Sequence, residues 1–311
     1  MNKMLNAILL HFLYFCIMKY HLPIFHTGNW PVLLLFSAFV TSCLLSCSPK
    51  QKGSKQAFIM VSIEPLRYFT ESIAGDDFQV ESIVPEGYNP ESYKPTPEQL
   101  MKLSECQIFF KIGQLGFETT WLEKTCQEQP SLHVVDTSDS LRTNAAGISL
   151  ASFDPHTWTS PQNAIWICKT ICQALCDADS SHTATYRSNL EKTIRRIEQT
   201  DQQIHQILSN LPSRTFITVH PSLTYFAQTY GLRQLSIEKE GKEPTPSDLK
   251  ELIRQCREDG NPVILIQKQF ARAQAEIIAK ETGSKIISIN PLGYNWDKEM
   301  LHIANTLHNG E

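Results

Sequence analysis

From Ser180 to Leu211 the chain contains neither glycine nor proline, and Leu190, Ile194, Ile197, Ile204, Ile207, Leu208 and Leu211 recur at helical spacings. A helix of roughly 30 residues is about 45 Å long, more than one small α/β unit needs. Set within 311 residues, such a rod limits the chain to few architectures. It predicts a spine that joins two lobes.

On both sides of the rod, short runs rich in β-branched and aromatic residues alternate with helical segments. "AFIMVSI", "QIFFKIG", "LHVVDTS", "TFITVHP", "PVILIQ" and "KIISIN" read as strands. Pro65–Ala74, Pro97–Ser104 and Ser247–Arg257 read as helices between them. This alternation predicts an α/β fold with parallel sheets covered by helices on both faces. The halves also echo each other. "FIMVSIEPLRYF" and "FITVHPSLTYF" share F-I-x-V, a proline and a closing aromatic pair, and "KPTPEQLMKL" and "EPTPSDLKEL" share P-T-P-x-x-L. In the second pair Thr96 or Thr245 is a natural N-cap, Pro97 or Pro246 fills the first helical turn, and Gln99 or Asp248 reaches back from the third position. The expected organisation is an N-terminal α/β lobe over 57–178, the connecting helix over 179–212 and a C-terminal α/β lobe over 213–311.

The first 56 residues differ in kind. Two apolar patches, Ala7–Ile17 and Pro31–Ser46, end in Leu44-Leu45-Ser46-Cys47. An apolar core closed by a small residue before cysteine is the pattern of a secretory leader, and its ending resembles the bacterial lipobox. Residues 1–46 are therefore expected to be a signal peptide, Cys47 the lipidated residue and 47–56 a polar tether. Two or more acyl chains, at about 0.8 kcal/mol per buried CH₂, hold a domain firmly to a membrane. An uncleaved membrane anchor and a start at Met18 stay open as alternatives. The domain is expected outside the cytoplasm, periplasmic or at the cell surface. Six of nine cysteines follow Cys47. Cys168, Cys172 and Cys176 recur every four residues and share one helix face, a core stripe of small apolar groups in preference to a metal cluster. Disulfides suit the compartment, but no pairing is readable. A formal charge of −4 without a basic face argues against a nucleic-acid footprint.

Ligands of open α/β sheets gather beyond the carboxyl ends of strands. His220 follows "TFITV" and Asn290 follows "KIISI". The N-terminal half offers His156 in the proline-stiffened "FDPHTWTSP" and Glu91 in "EGYNPESYKPTPEQL", where three prolines restrict the backbone. No HExxH, G-x-S-x-G, P-loop or G-x-G-x-x-G pattern suggests an enzyme.

Several longer motifs give these candidates a setting. "VSIEPLRYFTESIAGDDFQVESIVPEGYNPESYKPTPEQL", "KIGQLGFETTWLEK", "DPHTWTSPQNA", "VHPSLTYFAQTYGLRQL" and "ETGSKIISINPLG" together resemble the bacterial metal-binding lipoproteins that serve ABC importers for zinc or manganese. The resemblance covers nearly all of the chain after the leader. It implies two α/β lobes on one long helix, with metal in the cleft between them and no enzymatic turnover. It also implies His156 and His220 as metal ligands. Glu91 stands where most members carry histidine, Asn290 where they carry aspartate, and Gln267 where glutamate is common. Glu91 is a competent ligand for zinc or manganese. Asn290 is a poor one for zinc, left to bind weakly through its carbonyl oxygen, to hold a coordinated water or to contribute nothing. Two imidazoles and one carboxylate suit Zn²⁺ with a fourth position for water, and favour it over Mn²⁺ or Fe²⁺. A single anion leaves the bound dication undercompensated, which implies weaker binding than at a two-carboxylate site. The implied role is an extracytoplasmic, lipid-anchored monomer that captures a divalent ion and delivers it to an ABC permease. A lipid-anchored adhesin with a degraded or structural site is the second reading, and a zinc hydrolase the third.

Overall fold

Ile59, Met60 and Val61 have essentially no solvent exposure on either face of their strand, as expected of a central strand in a covered parallel sheet. The computed structural model describes residues 57–142, 153–211, 213–238, 243–260, 262–270 and 272–310. The leader, Cys47 and the tether lie outside the described residues.

The first sheet contains β1 (Ala57–Val61), β2 (Phe78–Ser82), β3 (Ile108–Lys111) and β4 (His133–Asp136), in the order β2-β1-β3-β4. The second contains β5 (Thr215–Thr218), β6 (Arg233–Ser236), β7 (Ile264–Gln267) and β8 (Ile286–Ile289), in the order β6-β5-β7-β8. Every pairing is parallel. The strand orders are the same, each half starting with a central strand, so the sequence echo reflects two similarly built units. The helices between strands are α1 (Glu64–Ala74), α2 (Pro97–Glu105), α3 (Glu123–Gln127, entered through a π-helical turn over Glu118–Leu122), α6 (Thr224–Tyr230), α7 (Pro246–Glu258) and α8 (Ala273–Thr282). α4 (Pro161–Ala178) and α5 (Thr183–Ile207) separate the halves, and α9 (Trp296–Asn309) follows the last strand.

The spine is α5, 25 residues of α-helix extended at each end by a three-residue 3₁₀ turn. It packs on α1 and α4 from the first half and on α9 from the end of the chain. Its buried line is Tyr186, Thr193, Ile197, Thr200 and Ile204. The side chains along β5 and β7 alternate between two cores. Phe216 and Leu265 join the large core that also holds α1, α4 and α9. Ile217, Ile264 and Ile266 face a smaller core with Leu252, Cys256 and Ile278. Cys168, Cys172 and Cys176 are buried thiols on α4, within the large core.

Two strands were not foreseen. β2 and β6 lie at sheet edges and carry polar side chains at alternate or successive positions. An edge strand needs only one hydrogen-bonded neighbour and can leave its outer side in water, so it lacks the continuous apolar run that identifies a central strand.

Candidate metal centre

Glu91 owes its position to a loop fastened at both ends. The loop runs from Ile83 to the start of α2, where Thr96 accepts from the Gln99 N–H at 3.2 Å and the Gln99 side chain accepts from the Thr96 N–H at 2.9 Å. The same Gln99 amide donates to the Ile83 carbonyl at 2.6 Å, while its oxygen accepts from the Tyr93 hydroxyl at 3.1 Å. One cap residue thereby ties the two ends of the loop together. Within the loop, Asn89 accepts from the Glu91 N–H at 2.9 Å, an Asx turn that aims the carboxylate. Glu91 Oε2 then accepts from the Gly116 N–H at 3.0 Å, and its Oε1 is buried without a partner.

Gly116 belongs to a loop built around a different carboxylate. Glu118, 3% exposed, accepts from the Ile112 N–H at 2.9 Å, the Gly113 N–H at 2.7 Å and the Leu115 N–H at 3.3 Å, and from the Ser62 hydroxyl. Burial pushes its carboxyl up to about 7, against the opposing effect of these donors. Only glycine fits at position 116, since a Cβ there would lie 2.3 Å from the Glu91 carbonyl oxygen.

His156 begins the turn that leads into α4. Asp154 Oδ1 accepts from both its backbone N–H, at 2.9 Å, and its Nδ1, at 2.7 Å. Burial alone would raise the Asp154 carboxyl, but the hydrogen bonds from His156 outweigh it and hold it below the ordinary range. His220 lies two residues beyond β5, and its Nδ1 donates to Glu238 Oε2 at 2.9 Å. Burial and the neighbouring His156 lower the His220 pKa, against the pull of Glu238. In both rings the carboxylate fixes the tautomer and leaves Nε2 as the free electron pair. His220 Nε2 is buried without a partner.

These three side chains meet. One ligand atom from each of Glu91, His156 and His220 lies within 4.8 Å of the others, and the rings of His156 and His220 are 5.1 Å apart. They line a cavity of about 10 Å³, together with Trp158, Gln267, Pro291 and Leu292, which is about the room of one water-sized sphere. Outward, they border a depression of about 510 Å³ that Asn89, Gln114, Asp154 and Glu238 also line. The donor set, the spacing and the buried unpartnered atoms fit a divalent cation with imidazole and carboxylate ligands.

Asn290 is placed differently. Its amide nitrogen donates to Glu86 at 2.8 Å, and it borders a separate depression with Lys268, Tyr294 and Lys298. Its chain neighbours Pro291 and Leu292, in contrast, line the small cavity. Asp154 and Glu238 were not anticipated as part of the site. Their charges change the expectation of a single compensating anion: with Glu91 they place three carboxylates around the pair of imidazoles. Asp154 is legible as the Asx residue two before His156. Glu238 is 18 residues from His220 and has no local signal.

Comparison with known proteins gives the chain a family. Residues 59–310 match the family model described as zinc-uptake complex component A, periplasmic. A protein of Chlamydia trachomatis whose description proposes metal binding is 32% identical over 282 residues, covering 89% of this chain and 98% of that one. The manganese ABC transporter substrate-binding lipoprotein PsaA of Streptococcus pneumoniae is 26% identical over 83% of this chain and 87% of its own. Among solved structures, the crystal structure of ZnuA superposes with a TM-score of 0.75 at 35% identity, covering 81% of this chain and 98% of that one. The chain belongs to the zinc-uptake complex component A family of periplasmic metal-binding proteins, the substrate-binding members of zinc and manganese ABC importers, which are transport proteins and not enzymes.

Proposed function

We propose that the protein captures a zinc ion through Glu91, His156 and His220 and delivers it to an ABC import permease. It works as a monomer outside the cytoplasm, anchored through acyl chains on Cys47 after loss of residues 1–46 and spaced from the membrane by 47–56. The lobes are 57–178 and 213–311, joined by the helix over 179–212. The observation that carries the reading is the convergence of three ligand atoms within 4.8 Å from distant parts of the chain. Because each half supplies part of the shell, bound metal favours one arrangement of the lobes over others, and a permease can read that arrangement.

Zinc is favoured because two imidazoles and a carboxylate form a compact, borderline-soft set. Asp154 and Glu238 add negative charge without occupying coordination positions. The test is elemental analysis of the full-length chain in detergent, followed by competitive Zn²⁺/Mn²⁺ titration of the wild type and of His156→Ala and His220→Ala. One Zn²⁺ per chain, retained against Mn²⁺ and lost in both variants, is expected. Undiminished affinity in both variants would overturn the cleft site.

A further inference from the structure

The cavity bordered by the three ligand residues has a fourth polar wall. Gln267 is the last residue of β7 and is 1% exposed. Its side-chain nitrogen donates to the His220 carbonyl at 3.0 Å and to Ser222 Oγ at 2.6 Å. A carbonyl oxygen only accepts, so the amide nitrogen must face His220 and the orientation is fixed by chemistry. Gln267 Oε1 is thereby turned away from both partners, and it is buried with no hydrogen bond. Such an oxygen keeps its desolvation penalty without a hydrogen bond to offset it, and a cation removes that penalty.

Among the described residues three other amide oxygens are also buried without partners, and that of Gln129 lies away from the cavity. Gln269 lines the same cavity, but it is half-buried and lies beyond the end of the strand. Asn290 has its nitrogen committed to Glu86 and does not line the cavity. Among the described residues Gln267 alone combines near-complete burial, a fixed amide and a place in the cavity wall.

We infer that Gln267 Oε1 is the fourth protein ligand of the ion held by Glu91, His156 and His220, so that β7, and not the segment after β8, closes the coordination shell with a neutral oxygen. This rests on the metal-capture reading. The donors on the same amide also make Gln267 a positioning residue for His220, and the test must separate the two roles.

Co²⁺ serves as the spectroscopic probe and Zn²⁺ as the competitor, with the full-length chain in detergent and folding checked by circular dichroism. Gln267→Met removes both the oxygen and the donors, while Gln267→Glu keeps an oxygen and removes the donors. If the oxygen is a ligand, Gln267→Met lowers Zn²⁺ affinity roughly 10- to 100-fold and shifts the Co²⁺ ligand-field bands. Gln267→Glu then binds at least as tightly as wild type, and Asn290→Ala and Gln269→Met leave the bands unchanged. Equal losses in Gln267→Met and Gln267→Glu with unshifted bands would reduce Gln267 to a positioning role and overturn the inference. A band shift in Asn290→Ala or Gln269→Met but not in Gln267→Met would overturn it as well. Failure of the wild type to bind Co²⁺, or binding unaffected in His156→Ala and His220→Ala, would instead remove the metal site itself.

Discussion

Glu118 shows how far a buried acid can act from the ligand it supports. Its carboxylate organises the 112–118 loop, and Gly116 of that loop holds Glu91. Its folded pKa, about 7, lies above the ordinary 4.5, so between these values the folded state binds more protons than the unfolded one. Its contribution to stability is full below about 4.5 and is lost as pH rises through about 7. The stability of wild type relative to Glu118→Gln is expected to fall on the order of 3 kcal/mol across that interval, read by denaturant unfolding at several pH values. Constancy of the difference would show that Glu118 does not titrate there. At the neighbouring position, Gly116→Ala must push the Glu91 backbone aside. Overpacking of this kind costs about 1–3 kcal/mol, and Zn²⁺ affinity is expected to fall with it. His156 and Glu91 stood out as candidates because prolines stiffen their loops, and the resemblance to metal-binding lipoproteins is what made them expected ligands. Gln267 was legible only as a departure from a motif, because the direction of its oxygen depends on a His220 carbonyl 47 residues away.

At the scale of elements, the two halves invite a paired experiment. Thr96 and Thr245 each complete a capping box, and replacing either with alanine is expected to cost about 1 kcal/mol in unfolding free energy. Only Thr96→Ala is expected to weaken zinc as well, since Gln99 of that box also closes the Glu91 loop. Thr245→Ala supplies the control, and equal zinc affinity in the two would separate the cap from the site. Both boxes were readable from P-T-P-x-x-L, as were the six strands with continuous apolar runs. The strands β2 and β6 were not, because Phe78–Ser82 and Arg233–Ser236 expose part of their length and are recognisable as strands only beside β1 and β5.

For the whole molecule, the halves are stitched together close to the cavity. The Trp158 indole donates to the Pro291 carbonyl at 2.8 Å, and the Trp296 indole donates back to the Trp158 carbonyl at 2.6 Å. Trp158→Phe leaves the Pro291 carbonyl without that donor and is expected to lower stability by about 1–3 kcal/mol, measured by thermal or denaturant unfolding. Protons should compete with metal later than for free imidazole. The lowered pKa of His220 keeps that ring neutral below the ordinary value of about 6.5. Zn²⁺ affinity is therefore expected to fall with acidification, with proton competition at His220 setting in at lower pH than for a free imidazole. A decline already complete near neutrality would mean that burial does not protect the ring.

The chamber of about 10 Å³ sets a condition on whatever enters it. A hydrated cation is several times larger than one water, so an ion seated there has exchanged its shell for side chains. Magnesium gives up water reluctantly and takes six oxygens, a demand that two imidazoles and one carboxylate around so small a space do not meet.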